Sequence, residues 1–208
     1  MRHFVIQYGY MGANYLSLKQ DFPTITSPSI RSDNDLSFGD EAYFDLLKKS
    51  MPWRNFHNLI YSKEFWEDEC KSFGITLNDI GPFRANFKED RQGFPLQTTE
   101  KFTYARMDIG IGLEGYGKNN GGRGLHIDNP QRIISGLLYF TDQSEIIGGQ
   151  FEICDKAGEI VHRVPISENM AIISLQNEDA WHRVNPMMSG KRLAVYFALN
   201  ASWKYWDR

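Results

Sequence analysis

The pattern of apolar and polar positions changes character near residue 100. Ahead of that point it predicts helices and loops. From Asp40 to Ser50 the apolar residues Tyr43, Phe44 and Leu47 fall on one side of a helix that stops before Pro52, because an interior proline removes an amide donor and clashes with the preceding turn. Farther along, Ser62 is suited to cap a helix running through Phe73, with Trp66, Cys70 and Phe73 at i, i+4 and i+7 and Gly74 as its stop. The stretch from Pro82 to Thr99 mixes charge, Gly, Pro and isolated aromatics and reads as an irregular loop.

Beyond residue 100 the pattern is that of consecutive β-strands. Phe102 to Leu113 alternates in part, and Arg132 to Thr141 and Met170 to Gln176 are apolar runs of β type. Arg192 to Asn200 carries Leu193, Val195, Phe197 and Leu199 on one face. Turn signals separate these runs at the Gly-rich 115–124, at Gly148-Gly149, at Lys156 to Gly158, at Asn185-Pro186 and at Ser189-Gly190. Short strands at this spacing predict a sandwich or barrel. The Gly-rich tract is followed by no helix, so it reads as a loop, not a phosphate-binding turn.

Composition narrows the picture further. At 208 residues and 41% hydrophobic, the chain is sized for a single domain over 1–208, with 1–100 as a helical and loop support region and 101–200 as the β core. A net charge of -3 without long basic runs disfavours a nucleic-acid partner. No stretch approaches the roughly 20 apolar residues that span a bilayer, and the start Met1-Arg2-His3-Phe4-Val5 turns polar too soon for a secretory signal. A soluble cytoplasmic protein without a membrane partner is expected. Cys70 and Cys154 lie in unlike contexts and suggest neither a disulfide framework nor a zinc site. The sequon at Asn200 reads as a chance match.

The candidate chemistry lies in His126-Ile-Asp128, followed at a distance by Trp181-His182-Arg183 and by Arg192 inside an apolar strand. Residues two apart on a strand share a face, so His126 and Asp128 can reach one ion. With His182 they form two imidazoles and a carboxylate, the set that binds non-haem Fe(II) and leaves positions open. Arg192 shares its strand face with Ala194, Tyr196 and Ala198. A cation beside small side chains implies a cavity for an external carboxylate held in bidentate fashion, the alternative being a strand-edge arginine in water.

The segment from Tyr104 to Leu199 resembles the 2-oxoglutarate and Fe(II)-dependent oxygenase superfamily, and within it the prolyl 4-hydroxylase-like branch. Tyr116 ahead of the metal motif carries this likeness, as do the string His126-Ile-Asp128-Asn129-Pro130 and Arg132 opening a strand that ends Leu138-Tyr139-Phe140. So do the Gly148-Gly149 turn and the spacing of His182 from Arg192. The resemblance implies a mainly β fold, a double-stranded β-helix of jelly-roll or cupin-like type with packed helices. It implies iron ligation by His126, Asp128 and His182. It also implies that Arg192 and Tyr139 grip the distal carboxylate of 2-oxoglutarate and that Tyr116 lines the same pocket.

The function so implied is a dioxygenase that hydroxylates an unactivated C–H bond while converting 2-oxoglutarate to succinate, using Fe(II) and O2, with ascorbate as an accessory reductant. Halogenating relatives have a small residue where this chain has Asp128, which favours hydroxylation. The branch resemblance points to a prolyl residue in a peptide or protein, with Pro82 to Thr99 and 115–124 as lids. A free amino acid or other small molecule is the alternative substrate. Nucleic-acid demethylation is weaker, since repair relatives place a second arginine downstream and this chain has Ala198 six residues past Arg192. A metal-binding β-barrel without turnover is the alternative from another class.

Overall fold

The computed structural model describes residues 3–24, 35–85, 98–113 and 122–207. Strand β1 (Phe4–Tyr8) leads into α1 (Tyr15–Gln20), β2 (Asp35–Ser37), and helices α2 (Glu41–Lys49), α3 (Met51–Ile60), α4 (Lys63–Ser72) and α5 (Leu77–Ile80). The remaining strands are β3 (Thr103–Leu113), β4 (Arg123–His126), β5 (Arg132–Tyr139), β6 (Ile147–Gly148) and β7 (Phe151–Cys154). They continue as β8 (Ile160–Val164), β9 (Met170–Leu175), β10 (His182–Val184), β11 (Met187–Ser189) and β12 (Lys191–Ala201). The mainly β expectation holds.

Two antiparallel sheets form the body. The major sheet has the order β1-β9-β5-β12-β3-β2 and the minor sheet β4-β10-β7-β8, with β6 and β11 as a separate ribbon. Tyr139, Ile172 and Ala194 of the major sheet share one buried cluster with Phe151, Ile153, Val164 and Val184 of the minor sheet, so the sheets face each other. Among the described residues they do not close into a barrel.

The opposite face of the major sheet is covered by helices. Trp53, Phe56, Ile60 and Trp66 pack with Ile134, Leu138, Ile173, Val195 and Phe197 in a second buried cluster. Each such side chain contributes on the order of 1.5–3 kcal/mol on burial. Both faces of β12 are thus apolar or functional, which explains its unbroken run. Gly136 on β5 makes room for Phe197, whose ring would lie 2.2 Å from any Cβ there.

The two predicted helices are present, as α2 and α4, and Ser62 caps α4 by accepting from the Phe65 amide at 3.3 Å. Pro52 was expected only to end a helix, yet α3 begins at once after α2. Ser50 closes α2 and caps α3 by accepting from the Trp53 amide, and a proline in the first turn gives up an amide that has no partner there anyway. The reading of residues before 100 as helices and loops also missed β1 and β2. Five residues are too few for alternation to declare itself, and β1 is a strand because β9 supplies its hydrogen bonds from Phe4↔Ser174 to Tyr8↔Met170. Of the predicted loop, residues 86–97 lie outside the described residues, as do 115–121 of the Gly-rich tract.

Cys70 and Cys154 are buried free thiols. Among the described residues no helix is long and apolar enough to cross a membrane.

Candidate active site

Antiparallel pairing of β10 with β4 places His182 directly opposite His126. Their rings lie 4.3 Å apart between centroids. Two residues past His126, the Oδ1 of Asp128 stands 3.8 Å from the Nε2 of His126. One donor atom from each of the three residues lies within 4.8 Å of the others. That spacing suits a single ion held by all three.

Hydrogen bonds define which nitrogen faces the centre. His126 Nδ1 lies 2.7 Å from the Gly124 carbonyl and His182 Nδ1 lies 2.9 Å from the Ala180 carbonyl. A carbonyl only accepts, so each Nδ1 carries a proton and each Nε2 keeps a lone pair for a metal. The Nε2 of His126 is buried with no hydrogen-bond partner among the described residues. Phe151 stacks on His182 at 5.2 Å, and Phe4 meets it edge-on at 6.2 Å. These rings fix the imidazole plane from the minor sheet and from β1.

The electrostatics agree with a ligand set. Burial pushes His126 down to about 4, with His182 and Arg123 adding to the effect. Burial also lowers His182, against the opposing pull of Asp128. Both imidazoles are neutral at neutral pH, as coordination requires. Burial alone would raise the Asp128 carboxyl, but Arg132, helped by His182 and Arg123, outweighs it and holds the group down at about 2. The donor set fits Fe(II), which accepts imidazole and carboxylate together.

A second feature lies beside this centre. Tyr139 on β5 is paired with Ala194 on β12, and Arg192 is two residues along the same face. The Tyr139 hydroxyl is fully buried and has no hydrogen-bond partner among the described residues. Burial pushes it up to about 12, while the charge of Arg192 pulls the other way. Arg192 is half-buried, and its Nη1 donates to the Gly149 carbonyl at 3.3 Å. The predicted Gly148-Gly149 turn positions that carbonyl with φ of +84° and +72°, a backbone that favours glycine. A Cβ on Gly149 would come within 2.4 Å of the Met187 sulfur. A buried hydroxyl without a partner costs about 1–3 kcal/mol, so an incoming carboxylate is a fitting acceptor.

The structure thus brings His126, Asp128 and His182 together on one side and sets Arg192 near Tyr139 on the facing sheet, and Tyr116 lies outside the described residues. Asp128 lies two residues past the end of β4. The sequence reading also passed over Arg132 as a site residue, although its i, i+4 spacing from Asp128 was visible, and over Phe151, whose role shows only when β7 pairs with β10. His3, His57 and His162 stay outside the centre, His3 bonding Asn177 and His57 bonding Tyr43.

Residues 111–200 match the sequence model of the 2OG-Fe(II) oxygenase superfamily. That match covers less than half of the chain. No curated protein matches the chain in sequence. Among solved structures, the chain is similar to a prolyl 4-hydroxylase from Phytophthora capsici, with a TM-score of 0.57 and 14% identity over 96% of this chain and 59% of that one. It is similar to a prolyl hydroxylase from Trichoplax adhaerens, solved with a peptide fragment of a hypoxia inducible factor oxygen degradation domain, with a TM-score of 0.50 and 15% identity over 96% and 84%. A 2OG-Fe(II) oxygenase family protein from Burkholderia pseudomallei aligns with a TM-score of 0.45 and 14% identity over 72% and 56%. The chain spans little more than half the length of the Burkholderia and Phytophthora proteins. At these identities the likeness is one of fold.

Proposed function

We propose that this protein is a 2-oxoglutarate- and Fe(II)-dependent dioxygenase that hydroxylates a C–H bond, most suitably at a prolyl residue of a peptide. The observation that carries the reading is a two-histidine, one-aspartate cluster facing, across the core cluster shared by Phe151 and Tyr139, a buried tyrosine hydroxyl with no hydrogen-bond partner among the described residues and an arginine near it. His126, Asp128 and His182 would hold the iron through two Nε2 atoms and a carboxylate oxygen. Bound there, iron with 2-oxoglutarate and O2 supplies the oxidation that places one oxygen atom in the substrate C–H bond and the other in succinate, with release of CO2.

The chain's own residues supply position. Arg192 and Tyr139 would take the far carboxylate of 2-oxoglutarate, the guanidinium by charge and the hydroxyl by donating a hydrogen bond. Phe151, Ile153 and Ile172 exclude water from the space between the sheets. Peptide specificity draws its support from the overall likeness to the Phytophthora and Trichoplax folds.

The test is succinate formation from 2-oxoglutarate with Fe(II) and ascorbate, alone and with proline-containing peptides or free amino acids. Peptide-stimulated succinate with a matching mass gain of one oxygen is the expected result. Stimulation by free amino acids alone would replace the peptide substrate with a small one, and no succinate under any condition would leave a metal-binding protein without turnover.

A further inference from the structure

Arg132 is buried at 7% exposure at the start of β5. Its Nη1 stands 3.4 Å from Oδ1 of Asp128, the same oxygen that faces His126 Nε2 at 3.8 Å. Its Nε donates to the Asn200 side-chain carbonyl at 3.2 Å, and the guanidinium lies over the Tyr196 ring at 4.9 Å from the centroid. The main chain is tied as well, its amide donating to the Asn129 carbonyl at 2.8 Å and its carbonyl accepting from Trp206 Nε1 at 2.8 Å. This side chain is held from several directions with one charged end against the candidate ligand.

Resting on the functional reading above, the geometry points to Arg132 as a positioning residue that pins the Asp128 carboxylate by the oxygen nearest the imidazoles, so that the metal meets one carboxylate oxygen and keeps adjacent positions free for 2-oxoglutarate. A carboxylate rotates readily about its Cβ–Cγ bond, and both its oxygens can chelate an ion when nothing restrains it. With one oxygen lodged between Arg132 and His126, rotation to a chelating pose breaks the ion pair. Asn200 and the Tyr196 ring fix the guanidinium itself, so the restraint comes from β12 as well as β5.

The experiment compares the wild type with Arg132→Met and Arg132→Lys. Calorimetric titration of the metal-free proteins with Mn(II), then of the Mn(II)-loaded proteins with 2-oxoglutarate, separates the two binding steps. The visible spectrum of the Co(II) forms reports coordination number independently of turnover. R132M is expected to weaken 2-oxoglutarate binding to the Mn(II) form about tenfold or more, a larger loss than that in Mn(II) affinity. Its Co(II) spectrum should shift toward higher coordination number. R132K, which restores a point charge without the planar fork, should recover part of the loss.

Unchanged 2-oxoglutarate affinity and an unchanged Co(II) spectrum in R132M would overturn the assignment, as would equal losses in both binding steps tracking a fall in melting temperature. If the wild type itself binds neither Mn(II) nor 2-oxoglutarate, the functional reading fails first and the variants are not needed to show it.

Discussion

His182 and Phe151 are neighbours on paired strands and lie nearly parallel, 18° apart with ring centroids at 5.2 Å. Since Phe151 is buried in the cluster between the sheets, the candidate ligand is anchored to the apolar core itself. Replacing Phe151 with Leu removes the stacked face while keeping much of the volume. We expect a stability loss of about 1–1.5 kcal/mol together with Mn(II) binding weakened several-fold, read by denaturant melts and calorimetry on the same preparations. Weaker folding with undiminished metal affinity would separate packing from ligand orientation.

The carboxylate pocket makes a two-part prediction. Arg192→Ala should weaken 2-oxoglutarate binding by at least the value of a charged hydrogen bond, about 1.5–3 kcal/mol, or roughly tenfold to more than a hundredfold, while Mn(II) affinity stays near that of the wild type. Tyr139→Phe removes one buried hydroxyl with no hydrogen-bond partner among the described residues. It should stabilise the free protein slightly yet weaken 2-oxoglutarate binding. An R192A protein with unaltered 2-oxoglutarate affinity would show that the cation belongs to the surface.

His182→Ala removes a buried donor that lies opposite His126. Metal affinity should fall first and most, and 2-oxoglutarate binding should then be lost for want of the ion. Equilibrium dialysis with Fe(II) under anaerobic conditions reads both in one experiment. Retention of stoichiometric iron would remove His182 from the ligand set.

His57 gives the protein a pH dependence distant from the site. Burial among Phe38, Tyr43 and Tyr61 lowers it from 6.5 to about 4, and its Nδ1 lies 2.9 Å from the Tyr43 hydroxyl. The unfolded chain therefore takes up a proton first as pH falls, and stability is lost between about 6.5 and 4. His126 and His182 act in the same direction. Melting temperature of the metal-free protein should drop across this window, and His57→Phe should flatten part of the slope. An identical pH profile in the variant would discount His57.

Gly136 offers a test of the helical face. A Cβ there would lie 2.2 Å from the Phe197 ring, so Gly136→Ala forces β5 and β12 apart or displaces the ring. A loss of about 1–3 kcal/mol is expected, measured by urea unfolding. A smaller ring at position 197, as in Phe197→Leu, should rescue G136A in a double-mutant cycle.

The chain order His126, Asp128, His182, Arg192 and the residue types themselves were enough to name a chemistry, because coordination and carboxylate recognition depend on functional groups that side chains carry wherever they sit. The long strands β3, β5, β9 and β12 and the helices α2 and α4 were legible for a related reason: their patterns are local, and long enough to repeat. What the sequence left undecided is everything that depends on approach between distant segments. Strand β1 exists because β9 is beside it, α3 starts at Met51 because Ser50 serves two helices, and His182 meets His126 because β10 pairs with β4. Arg132 stood in plain view four residues from Asp128, but only the fold aims its guanidinium at that carboxylate and closes Asn200 and Tyr196 around it. Side-chain chemistry is inherited from the sequence, whereas distance and orientation arise when the two sheets and the helical layer pack.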